Sequence, residues 1–204
     1  MNIYVETNFV FELVFEQEQF ASCEQILQLT EAGRIQLIVP AYSLAEPHEK
    51  LIRQAKKREE IQRTLNTELK QLLRTASYQS RFNNINNIDN VSNLLLLSIQ
   101  DEKRRFIQYR DRFLRCAEII PMNADVIRNA AINEVDFEFQ PQDALVYASV
   151  MFHLRQNPPQ IACFLNRNTN DFKDPAITND LNRFNCRMIP RFDDGYNFIQ
   201  SRLR

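Results

Sequence analysis

The sequence predicts an α/β domain built on a parallel sheet, and three observations carry that expectation. Short apolar runs at residues 3–5, 35–39 and 161–165 are separated by longer stretches of helical spacing. The first run shows no polar/apolar alternation, as befits a strand covered on both faces. Acidic residues stand at or just beyond the ends of such runs, and in a parallel sheet the carboxyl ends of the strands form the edge where ligands bind.

The elements follow in order. Residues 3–5 read as a buried strand, with Thr7 and Asn8 as turn or cap residues. Residues 22–32 predict a helix closed by Gly33. Residues 35–39 form a second strand ended by Pro40, and Ser43 or the preceding turn caps the next helix. That helix is long, with Leu51, Ala55, Ile61, Leu65, Leu69, Leu72 and Ala76 near 3–4 residue spacing. The asparagine-rich stretch at 83–90 predicts a loop, and residues 92–117 a second helix, the two forming an antiparallel hairpin. Beyond it come an edge segment at 118–121, helices at 123–133 and 142–154, the strand at 161–165, an asparagine-rich turn, a helix at 180–184 and a last strand at 186–189.

Composition removes several chemistries. The chain has 204 residues, 44% hydrophobic and 25% charged, which suits one domain with an insertion, residues 1–204 with a helical arm at about 47–117. Only Gly33 and Gly195 are glycines, so no glycine-rich phosphate loop exists. Cys23, Cys116, Cys163 and Cys186 are too scattered for a zinc ribbon or a redox pair, and two histidines cannot make a histidine metal site. The start shows no basic leader, and apolar runs such as 94–97 are far too short to span a bilayer, so a cytoplasmic protein with no membrane partner is expected. Net charge is −1, so any nucleic-acid surface must come from local segregation. Residues 49–74 carry eight Lys/Arg against four Asp/Glu, and 101–115 carry six against three. Lys56, Lys57 and Arg58 are therefore candidate RNA contacts, weighed against a merely solvated helix face.

Glu6, Glu46, Asp143 and Asp171 stand out by position. Glu6 ends the first strand, Glu46 lies early in the helix after the second, Asp143 opens an apolar helix and Asp171 follows the third strand. All four converge on one sheet edge. Gathered carboxylates repel one another unless a counter-charge is present, and Mg²⁺ or Mn²⁺ prefers such oxygen donors. Each acid also has a bland reading: Asp143 as a helix-start residue, Glu46 as solvated, Asp171 as a turn residue.

These blocks resemble the PIN-domain family, which includes the toxin ribonucleases of bacterial toxin–antitoxin pairs. Ile3-Tyr4-Val5-Glu6-Thr7-Asn8 is similar to the family's strand ending in Asp-Thr-Asn. The stretch from Ile38 to Glu46 resembles the block with its glutamate, Asp143-Ala144-Leu145-Val146 its Asp-Ala-Leu-Ile helix start, and Asn168 to Phe172 its Asn-x-x-Asp-Phe. The resemblance implies a three-layer α/β/α sandwich and metal-dependent endoribonuclease activity. It implies Glu6, Glu46, Asp143 and Asp171 as catalytic metal ligands, with Thr7 and Asn168 in support by hydrogen bonds. RNA is then the substrate, and an antitoxin or other protein partner and a homodimer are compatible with it.

Two departures matter. The family's first acid is aspartate, and here it is Glu6, whose extra methylene moves the carboxylate by more than an ångström. The arm at 47–117 is longer than in compact relatives; Tyr78, Phe82, Phe106 and Tyr109 are its aromatic residues, for base stacking or, by their helical spacing, core packing. Both departures favour the alternative, a catalytically weak module that binds RNA or protein.

Overall fold

A strand without alternation needs cover on both faces, and such a strand belongs in the middle of a sheet. The computed structural model of the chain describes residues 1–78, 88–168, 171–172 and 174–203. Its strands are β1 (Asn2–Val5), β2 (Gln36–Pro40), β3 (Glu118–Ile120), β4 (Ala162–Leu165) and β5 (Cys186–Ile189). They form one sheet of order β3-β2-β1-β4-β5, with every neighbouring pair parallel and β1 central. Ile3 aligns with Leu37 on one side and Cys163 on the other.

Helices make the outer layers of this three-layer α/β/α sandwich. Tyr4, Ile38, Phe164 and Cys186 point into a core shared with α5 (Ala124–Asp136), α6 (Pro141–Gln156) and α7 (Pro175–Asn182). The opposite layer comprises α1 (Thr7–Phe15), α2 (Phe20–Glu31) and α8 (Phe192–Leu203). There Phe9 meets Phe192 edge-to-face with ring centroids 5.3 Å apart. Burial of these aromatic and branched side chains is the main source of stability.

The chain divides into two compact units, Met1–Pro47 with Ile107–Arg204, and His48–Phe106. Helices α3 (Ala41–Leu73) and α4 (Ile88–Cys116) cross this division. Within the smaller unit the His48 ring stacks on Phe106 at 5.9 Å, and Arg58 forks onto Glu102 at 2.7 and 3.0 Å. Positions rise along α3 as their partners fall along α4, the sense of an antiparallel hairpin. Phe106, Tyr109 and Phe113 are buried, which gives these aromatics a packing role. Among the described residues no helix is long and apolar enough to cross a membrane.

Several boundaries differ from the sequence expectation. Residues 83–87 and Phe82 lie outside the described residues, while α4 already starts at Ile88, inside the expected loop. Ser43 is no cap: α3 begins at Ala41 directly from the strand, and Ser43 is buried within it with no hydrogen-bond partner among the described residues. The helix expected at 180–184 is Pro175–Asn182, because Asp174 caps it by accepting from Ala176 N at 2.8 Å and Pro175 pre-sets its first turn. Helix α8 follows the last strand that the sequence predicts, and Gly195 lies inside it. A Cβ at Gly195 would come within 2.6 Å of Leu165 Cδ2, so glycine permits the close approach of α8 to β4. Gly33 does what the sequence predicts: at φ +67° it ends α2, with Gly33 N bonded to Thr30 O and Arg34 N to Leu29 O.

Candidate functional site

At the end of β1 the chain turns straight into α1, and the first amides of a helix need acceptors. Glu6 supplies one. Its backbone is extended and its Oε2 accepts from Asn8 N at 2.7 Å, which makes it the N-cap of α1. Its Oε1 accepts from Arg167 N at 3.2 Å, just beyond the end of β4. Thr7 opens α1 and donates its hydroxyl to Glu46 Oε2 at 2.6 Å. Asp143 lies in the first turn of α6, which starts on Pro141. Asn168 donates its side-chain amide to both oxygens of Asp143, at 3.2 and 3.1 Å. The loop that presents Asn168 is itself fixed, with Asn168 N bonded to Asn166 Oδ1 at 2.8 Å.

Glu6, Thr7, Glu46, Asp143 and Asn168 therefore line one cleft of about 230 Å³. Asp171 is exposed and outside the cleft lining, but its negative charge helps to raise the pKa of Asp143. Asp174, the nearest substitute for Asp171 in sequence, is spent on capping α7.

Asp143 is the electrostatic hub. Its pKa is raised, first by burial and then by Asp171 and Glu46, against the lowering effect of Asn168. Glu6 is pushed up from 4.5 to about 7, first by burial, with a smaller contribution from Asp143, although the amides of Asn8 and Arg167 oppose the shift. Among the described residues the cleft lining includes no lysine, arginine or histidine. The donor set is thus all oxygen and uncompensated, which fits a hard divalent cation. As the side chains are arranged, no three acidic, histidine or cysteine groups among the described residues form a ready cation shell. Each of Glu6, Glu46 and Asp143 accepts a hydrogen bond from a donor of the chain.

Folded Glu6 keeps its proton up to about pH 7, whereas an unfolded glutamate loses it near 4.5. The folded state binds more protons in that window, so stability should fall as pH rises through it and then level off. Urea titrations across this range should show the slope in wild type and a flatter profile in Glu6→Gln; equal slopes would contradict the burial of the charge.

The sequence reading passed over a polar network beneath the cleft. Glu12 has no exposed surface, yet its carboxylate pairs with the Arg167 guanidinium and accepts from Gln19 N at 2.8 Å. Arg167 also reaches Glu18 at 3.1 Å, and Gln19 Oε1 accepts from Phe192 N at 2.7 Å. The available signal was an acid inside the apolar run of α1. Of the candidate RNA contacts, Lys56 and Lys57 are exposed, whereas Arg58 is committed to Glu102. The histidines serve packing and internal hydrogen bonds: His153 lies between the Tyr4 hydroxyl at 2.9 Å and Glu118 at 3.0 Å. All four cysteines are free thiols, three of them buried.

A family model described as a PIN domain matches residues 3–172. No curated protein and no solved structure matches the chain.

Proposed function

The chain belongs to the PIN-domain family, and from that premise we propose that it is an endoribonuclease dependent on Mg²⁺ or Mn²⁺. The supporting observation is that Glu6, Glu46 and Asp143 line one cleft whose lining, among the described residues, includes no cationic side chain, with the charge of Asp171 bearing on Asp143. A hard divalent cation would supply the missing charge, polarise the scissile phosphate and lower the pKa of the attacking water. Glu6, Glu46, Asp143 and Asp171 are the residues that would hold it.

The remaining roles belong to the chain's own hydrogen bonds. The Thr7 hydroxyl sets the rotation of Glu46, and the Asn168 amide sets that of Asp143. The amides of Asn8 and Arg167 hold Glu6 against the floor of the cleft. In-line attack by water on a phosphate held in the cleft would leave a 5′-phosphate and a 3′-hydroxyl.

A second reading is a weakly catalytic binding module. It is favoured by Glu6, whose two oxygens already serve backbone amides and whose burial favours the protonated form. Glu6→Asp separates the two. A working enzyme set for glutamate should lose about tenfold or more in cleavage of a labelled RNA pool with Mn²⁺, because the shorter carboxylate is displaced by about an ångström. A degenerate enzyme should gain activity instead. Wild-type cleavage that survives thorough chelation would refute the cation-dependent reading.

A further inference from the structure

The formal charge of −1 conceals a segregation between the two units. Residues 48–106 carry 12 Lys/Arg and 7 Asp/Glu, an excess of five positive charges, while the remainder carries 13 and 19, an excess of six negative charges. In the larger unit many arginines are committed internally: Arg112 to Glu24 and Glu31, Arg128 to Asp125, Arg167 to Glu12 and Glu18, Arg183 to Asp180.

On α3 the situation is different. Arg53, Lys56 and Lys57 are exposed, and none forms an ion pair among the described residues. Their i, i+3, i+4 spacing places them on one helix face within about 6 Å of one another. Leu51 is buried and Arg58 is turned inward onto Glu102, so this face lies away from the packed side of the helix. Arg53 thus takes the place that the sequence reading gave to Arg58.

We infer that Arg53, Lys56 and Lys57 form a phosphate-contacting face for single-stranded RNA, which captures the strand by charge without reading its bases. The inference rests on RNA being the substrate class. Without a bound cation the acidic cleft repels phosphates, so a polyanion then needs cations elsewhere on the chain to be held. Lysine is depleted at protein–protein interfaces, whereas exposed Lys and Arg are the usual partners of phosphate oxygens. That contrast favours a nucleic acid over an acidic protein as the occupant.

The test uses the full chain, a labelled single-stranded RNA and EDTA, so that nothing is cut while fluorescence anisotropy reports binding. The triple variant Arg53→Glu, Lys56→Glu, Lys57→Glu should bind roughly tenfold or more weakly, and its slope of log affinity against log salt should be shallower by about 2, or roughly 0.7 for each lost phosphate contact. Arg34→Glu, Arg155→Glu, Arg202→Glu makes the same change in net charge on exposed residues of the larger unit and should leave the slope nearly intact. Unchanged affinity and slope in the first variant would overturn the inference, as would an equal loss in the second. Failure of the nuclease reading looks different: wild type would bind RNA through this face yet leave it uncut when Mn²⁺ is added. Normal cleavage with binding untouched by the first triple variant would instead retain the nuclease and remove the face.

Discussion

Arg167→Ala should destabilise the larger unit by about 3 kcal/mol, the lower end of what removing one partner of a buried ion pair costs. Glu12 has no exposed surface, and Arg167 is its cationic partner. Truncation leaves a buried carboxylate with Gln19 N as its remaining donor among the described residues. The lower end is expected because the Arg167 side chain is 37% exposed, so water already screens part of the interaction. Thermal unfolding should shift down by roughly 6–12 °C for a unit of this size. The double variant Glu12→Leu, Arg167→Met should recover most of the loss, because two apolar side chains leave no charge stranded. A single variant within about 0.5 kcal/mol of wild type would show that the pair contributes little. The consequence reaches the cleft, because Arg167 N holds Glu6 and its neighbour Asn168 holds Asp143.

Asp143→Asn should give the largest change in activity, a loss of about 100-fold or more in Mn²⁺-dependent cleavage together with loss of Mn²⁺ uptake. The residue is where the other acids meet: Asp171 and Glu46 act on it, and it acts on Glu6. Asparagine keeps the size and one acceptor oxygen for Asn168 but removes the charge. Stability should move the other way. The raised pKa of Asp143 means that its charge opposes folding once ionised, so the variant should equal or exceed wild type at pH 8. A protein that is folded, at least as stable and inactive would identify a site residue, not a structural one. Activity within tenfold of wild type would remove Asp143 from the mechanism.

Much of the framework was legible because it is local. The apolar run at the start of the chain could only be a strand buried on both faces, and β1 is central. Gly33 could be recognised as a helix terminator because a left-handed residue after a helix is a local demand. The positions of Glu6, Glu46, Asp143 and Asp171 after strands or at helix starts followed from parallel topology, in which such ends share one edge. The elements placed wrongly or left unassigned depended on less periodic signals. Helix α7 starts five residues before the predicted 180–184 because Asp174 caps it, and residues 192–203, left unassigned, form α8 with Gly195 close against Leu165.

The sequence by itself determined the parallel α/β frame, the family and the acids that come to one edge, since strand burial, helix punctuation and residue order depend on few neighbours. Only the tertiary structure decided what each acid is bonded to. Glu6 is tied to Asn8 and Arg167 N, Asp143 is held by Asn168, and Glu12 is an internal counter-ion to Arg167, across separations of up to 161 residues. It likewise decided that Arg58 faces inward while Arg53, Lys56 and Lys57 remain exposed. The physical reason is that a carboxylate or guanidinium takes its charge state and its role from the donors, acceptors and water it meets in three dimensions, and no local pattern of residues specifies those partners.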